Sequence, residues 1–232
     1  MRKQDLEDVR QLPLFSDMEI KNFEELMQAA YLQKFPPQVQ LTTEGESADF
    51  LHIVIEGCVE LFAEANGRET TMTLLRPVST FILAAIIKDA PHLMSSRTTE
   101  KSKVLLVPAE NILDIFARDK AFACAIVVEL ATRYRSVVKA HKNQKLRTSV
   151  ERLANYLISL NTDQGGNSTA HLPYDKRIIA SLLGMTPENL SRAFGTLSAY
   201  GVEVNGAKIT FTALDDLKIL AKPSRLIDEP KI

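Results

Sequence analysis

The sequence predicts an α+β protein in three blocks: an antiparallel β-roll over residues 1–118, one long helix over 119–146, and a helical module closed by a hairpin over 147–232. Three observations carry this. Short β-rich runs with turn signals between them fill residues 39 to 107. A heptad-spaced apolar row follows, and then short helical patterns broken at Gly184. At 232 residues, 45% hydrophobic and 25% charged, the chain is long and apolar enough to bury a proper core.

In the first block the runs "FLHIVI", "CVELF", "TTMTLL" and "KVLLV" read as strands. Glu44-Gly45, Glu56-Gly57, Asn66-Gly67 and Arg76-Pro77 supply the turns, Asn-Gly being the residue pair of a tight hairpin. Many short strands joined this way make an antiparallel barrel or roll. Ahead of them, residues 17 to 33 carry apolar side chains at helical spacing (Ile20, Phe23, Leu26, Met27, Ala30) and are expected to pack on the roll as a helix. His52 alternates with Leu51 and Ile53 and is expected at the surface or rim. Cys58 and Cys124, far apart and without a CxxC pair or histidine cluster, are expected to be buried, inert thiols.

The long helix runs from about Asp119, a good N-cap residue, to Gln144. Ala123, Val127, Leu130, Tyr134, Val137 and His141 follow the alternating three- and four-residue spacing of a coiled-coil seam. A homodimer strut explains that row better than a core helix does, with His141 as a polar register-setting residue on the seam. Beyond it, Thr148 or Ser149 caps the amphipathic "VERLANYLISL", and "NTDQGGNSTAH" reads as a polar surface loop holding His171. Its Gly165-Gly166 pair lacks the strand-to-helix setting of a phosphate-binding loop.

In "IIASLLGMTPENLSRAFGTL", Ile179 and Leu183 share one face of a first helix and Gly184 supplies a left-handed C-cap. Thr186 then caps a second helix, with Pro187 at the first position, where a missing N–H costs nothing. Leu190, Phe194 and Leu197 bury the second helix, so Glu188, Ser191 and Arg192 face outward from its opening turns. This is a helix-turn-helix, and those turns are the part that enters a DNA major groove. In "GVEVNGAKITF", Val202 and Val204 alternate up to an Asn205-Gly206 turn, and Ile209 and Phe211 alternate away from it, forming a hairpin wing. Arg192 is suited to guanine O6 and N7, Glu188 to a cytosine amine, and Ser191 to a neighbouring adenine or thymine. Lys176, Arg177, Thr186, Asn189 and Lys208 are the expected phosphate contacts.

Net charge is −1, but its distribution is uneven: residues 1–141 hold 16 Lys and Arg against 20 Asp and Glu, and residues 142–232 hold 12 against 9. No apolar run reaches the 18 or so residues of a membrane helix, and "MRKQDLEDVRQLPLF" lacks the apolar core of a secretion signal, so a cytoplasmic location is expected. No catalytic triad, carboxylate pair or metal-ligand set emerges, which argues against an enzyme. The rival to a DNA-binding regulator is a ligand-binding module that docks a partner protein through its winged domain.

The order of parts, together with Glu188-x-x-Ser191-Arg192, resembles the Crp/Fnr family of bacterial transcription regulators over essentially the whole chain. The motif looks like that of the Fnr-like branch; the catabolite-activator branch carries an Arg where this chain has Pro187. The resemblance implies a cyclic-nucleotide-binding-like jelly roll, a homodimer, an inverted repeat of TTGA-like half-sites on double-stranded DNA, and RNA polymerase as a partner. The family's effector region maps onto Ile82, Leu83, Ala84, His92 and Leu93, with Val137 and Val138 on the long helix. These residues lack the charged and polar groups that hold a cyclic nucleotide, so cyclic AMP is not expected. Two cysteines do not replace the four that hold the Fnr iron-sulfur cluster. Three readings stay open: a filled core, a small apolar effector, or haem with His92 as its ligand.

Overall fold

The computed structural model describes residues 3–229. The chain forms two compact units, divided after Arg133. The first begins with helices α1 (Lys3–Arg10) and α2 (Ile20–Ala29), followed by strands β1 (Tyr31–Phe35), β2 (Gln40–Thr42), β3 (Phe50–Glu56), β4 (Val59–Ala65), β5 (Arg68–Leu75) and β6 (Ser79–Phe81). Helix α3 (Leu83–Lys88), strands β7 (Ser95–Thr98) and β8 (Ser102–Pro108), and helix α4 (Ala109–Arg118) come next. Helix α5 (Lys120–Leu146) crosses the division. The strands make two open, four-stranded antiparallel sheets, in the orders β1-β8-β3-β6 and β2-β7-β4-β5.

Alternation along β3 explains the layering. Leu51 and Ile53 join Leu105 and Val107 in a core built with the helices, around Phe15, Phe23, Leu26, Ile112 and Phe122. Val54 points the other way and, with Val59, Leu61, Phe81 and Val104, fills the space between the sheets. His52 shares that inner side and is only 7% exposed, so the expectation of a surface or rim position is corrected. Its reverse face meets a second sheet, not solvent.

The expected helix over 17–33 is shorter. Ala30 leaves it with extended backbone, because the next five residues pair with β8 from Tyr31↔Leu106 to Phe35↔Ser102. The Asn66-Gly67 turn is as expected, both residues having positive φ (54° and 70°) between the paired Ala65 and Arg68. Asp119 caps α5: its Oδ1 accepts from the Phe122 N–H at 2.9 Å, while Oδ2 accepts from Asn22 Nδ2 at 2.9 Å and the Glu19 N–H at 3.0 Å. Burial works against its charge, yet these donors outweigh burial and hold the carboxyl below its usual pKa. Cys58 is buried, as expected, and burial raises its thiol pKa; Cys124, on the outer face of α5, is exposed, against expectation.

The second unit contains α6 (Ser149–Asp163), β9 (Thr169–His171), α7 (Lys176–Leu182), α8 (Pro187–Leu197), β10 (Val202–Asn205), β11 (Lys208–Phe211), α9 (Leu214–Ala221) and α10 (Arg225–Asp228). Thr148 caps α6 in a reciprocal box with Glu151. The expected loop "NTDQGGNSTAH" is only partly a loop: α6 continues to Asp163, and Thr169–His171 pairs with β11 to make a three-stranded sheet. Leu153, Leu157, Ile179, Leu190, Leu197, Ile209 and Leu217 form its core. At the junction of α5 and α6, the guanidinium of Arg147 makes two hydrogen bonds to Asp228, at 2.7 and 2.6 Å, and a third to Asn143 at 3.1 Å.

Candidate nucleic-acid interface

The turn between α7 and α8 is set by backbone chemistry. Gly184 has φ +61°, its N–H reaches the Ser181 carbonyl at 2.9 Å, and the Met185 N–H reaches Ala180 at 2.9 Å. That pair of bonds is a Schellman end, which satisfies two orphan carbonyls of α7 and reverses the chain within two residues. Thr186 Oγ1 accepts from the Asn189 N–H at 3.2 Å, and Pro187 opens α8. A residue unnoticed in the sequence pins this turn from behind. Arg152 of α6 donates through Nε to the Leu183 carbonyl at 2.8 Å and through Nη1 to the Arg147 carbonyl at 2.8 Å. Burial lowers its pKa without threatening its charge. The sequence marks it only as a charge next to the apolar Leu153 and Ala154.

Leu190, Ala193, Phe194 and Leu197 are buried, and Glu188, Asn189, Ser191, Arg192, Gly195 and Thr196 are exposed. The outer face of α8 is therefore polar from its first turn, and Gly195 leaves open space on it. Glu188 has its carboxyl pKa lowered by a hydrogen bond from its own N–H, then by the Thr186 hydroxyl and the Arg192 charge. Thr186 thus serves the helix end as well as facing outward. Lys176 and Arg177 are exposed at the start of α7, with Lys176 Nζ 5.5 Å from the centre of the Phe194 ring. Lys208 is exposed at the tip of the wing, paired with Asn205. The two turn residues are Gly206 and Ala207, one place later than expected, because Asn205 already belongs to the ladder. Gly201 fixes the wing's root: it has φ +74°, and a Cβ there would stand 2.4 Å from the Ala213 nitrogen.

The residues expected to line an effector pocket differ in burial. Helix α3 turns Leu83 inward to the core, Ile82 packs half-buried between the two cores, Ala84 is exposed and Leu93 is 82% exposed. Val137 and Val138 lie in the second unit, both exposed. His92 is buried, only 6% exposed. Gly45 donates to its carbonyl at 2.8 Å, and its own N–H reaches the Glu46 carbonyl at 2.9 Å. On α5, Val127, Tyr134 and Val137 are 59%, 70% and 67% exposed, His141 is exposed, and Ala123 and Leu130 are half-buried.

Comparison with known proteins agrees with this division of labour. Residues 32–119 match the cyclic nucleotide-binding domain family, and residues 151–220 match the Crp-like helix-turn-helix domain family. The chain is 23% identical over 197 residues to the CRP-like cAMP-activated global transcriptional regulator of Mycobacterium tuberculosis, covering 82% of this chain and 87% of the relative. FixK2 from Bradyrhizobium japonicum has the same fold, with a TM-score of 0.69, 21% identity, and coverage of 84% of this chain and 98% of FixK2. The regulator CLP from Xanthomonas campestris, described as c-di-GMP responsive, aligns with a TM-score of 0.69, 17% identity, and coverage of 83% and 99%. Among the described residues no helix is long and apolar enough to cross a membrane. Two matched domains in this order, joined by a long helix and ending in a winged helix-turn-helix, make this chain a member of the Crp/Fnr family of transcription regulators.

Proposed function

We propose that the protein binds DNA as a homodimer and reads an inverted repeat of TTGA-like half-sites. The observation that carries this reading is the outer face of α8, where Glu188, Ser191 and Arg192 stand exposed on the opening turns while Leu190, Phe194 and Leu197 anchor the helix from behind. Arg192 offers two donors to guanine, Glu188 accepts from cytosine, and Ser191 meets the neighbouring base. Lys176, Arg177 and Lys208 neutralise phosphates, and Thr186 and Asn189 add neutral donors at the helix end. The apolar face of α5 pairs with its copy along Ala123, Val127, Leu130, Tyr134, Val137 and His141. RNA polymerase is the further partner such a regulator addresses.

Half-sites one helical turn apart, about 34 Å, match a two-fold dimer. The test is fluorescence anisotropy of the ligand-free protein on a TTGA-N6-TCAA duplex and on a scrambled duplex at a stated salt concentration. Selective binding supports the reading; equal binding to both duplexes overturns the assigned half-site. Loss of selectivity at the guanine in Arg192→Ala separates DNA reading from protein docking.

A further inference from the structure

Within the second unit, the end of the chain is tied to the foot of α5. Lys139, Asn143 and Arg147 stand four residues apart and so share one edge of that foot. Residues 224–229 meet this edge at two places: Lys139 Nζ donates to the Glu229 carbonyl at 2.6 Å, and Arg147 makes its paired bonds to Asp228. Asp228 is aimed by its own segment, since its Oδ2 also accepts from the Ser224 N–H at 2.6 Å. Burial works against its charge, yet Arg147 and that N–H hold the carboxyl below its usual pKa.

The same arginine reaches the reading turn by its other end. Its carbonyl accepts from Arg152 Nη1, and Arg152 Nε donates to the Leu183 carbonyl, beside the glycine that launches α8. From Asp228 to Leu183 every link is a hydrogen bond of 2.6 to 2.8 Å. Only Arg147 and Thr148 separate α5 from α6, and a connection that short is a hinge unless something braces it. A guanidinium and a carboxylate joined by two parallel bonds fix direction as well as distance.

We propose that Asp228, acting through Arg147, is a positioning residue that sets specificity: the C-terminal segment clasps the foot of α5 and fixes the angle at which each copy presents α8. The clasp thereby selects the half-site spacing that a dimer accepts. This deepens the DNA-binding reading and rests on it for the dimer and the half-sites. One base pair of spacer moves a half-site by about 3.4 Å and turns it by roughly 35° around the duplex, so a braced angle fits one spacing and a loose hinge fits several. The loose hinge also binds the right spacing more weakly, because DNA must then order it.

The test is anisotropy of wild type, Asp228→Asn and Arg147→Lys on TTGA-N6-TCAA, on duplexes with the spacer one base pair shorter or longer, and on a duplex with a single half-site. Asp228→Asn removes the charge at constant size, and Arg147→Lys keeps the charge without the two parallel bonds. Wild type is expected to prefer its spacing by on the order of tenfold, and both variants by about threefold or less, with single half-site binding unchanged. An unchanged spacing preference in either variant, or a loss shared equally by the single half-site, overturns the proposal. Hydrogen exchange without DNA reads the clasp separately. Amides from Gln144 to Thr148 are expected to exchange roughly tenfold faster in both variants, while those from Leu153 to Leu157 keep their wild-type rate. Wild-type exchange at the junction would also overturn the clasp. Failure of wild type itself to distinguish TTGA-N6-TCAA from a scrambled duplex would overturn the assigned half-site instead, and exchange alone then decides the clasp.

Discussion

At the scale of single residues, base contacts and phosphate contacts differ in what they do to binding. Arg192→Ala is expected to lose about 1–3 kcal/mol of discrimination at one base while leaving binding to scrambled DNA nearly unchanged. Lys208→Ala is expected to weaken all duplexes alike and to reduce the slope of log K against log salt by about one. Anisotropy titrations at three salt concentrations separate the two. His52 makes a prediction about pH. Burial holds its pKa at about 4, with a backbone hydrogen bond to Phe50 opposing and the nearby His92 assisting, against 6.5 in an unfolded chain. Between those values the unfolded chain takes up a proton that the folded chain refuses, so stability falls as the pH drops through that window, by up to roughly 3 kcal/mol. Urea unfolding at pH 7 and pH 4.5 measures it, and His52→Phe, which keeps a ring beside Phe81 4.8 Å away, is expected to flatten the dependence. These residues were unequally legible in the sequence. Arg192 was readable because Gly184, Thr186 and Pro187 are local signals that orient its helix. His52 was readable only to a side of its strand, since alternation does not say that a second sheet covers that side.

At the scale of elements, caps and close approaches decide where helices begin and how they meet. Asp119→Ala removes the cap of α5 and leaves the buried Asn22 amide and the part-buried Glu19 N–H without their acceptor. A cost of roughly 2–4 kcal/mol is expected in urea unfolding of the first unit's core. Gly201→Ala is expected to cost at least about 1 kcal/mol, because the new Cβ meets backbone at Ala213 and the positive φ disfavours a side chain. A wild-type midpoint for that variant would falsify the account of the wing's root. The elements that sequence reading missed share a cause. "YLQKF" and "TAH" are short, and their pairing partners lie 67 and 37 residues on at the nearest register positions, Ser102 opposite Phe35 and Lys208 opposite His171. Local patterns carry the helix-turn-helix and α5 well, because their signals are contained within each element.

At the scale of the whole molecule, the exposed apolar row on α5 sets the expected assembly. Val137→Glu places a charge on the proposed seam and is expected to turn a dimer into a monomer in sedimentation velocity, with DNA affinity falling on the order of 10²- to 10⁴-fold as the second half-site is lost. An unchanged sedimentation coefficient would remove α5 from the dimer contact. The junction at the foot of α5 is a different kind of device. Arg147 is nearly buried, its side chain 6% exposed, and its carboxylate partner Asp228 lies 81 residues further along the chain. During chain synthesis the whole reading module, from α6 through the wing to α9, must therefore leave the ribosome before that guanidinium meets its counter-charge. A product cut short after the wing would carry a complete recognition helix on a junction with an uncompensated cation, so messages ending early should yield protein that proteases remove before it can compete for operators.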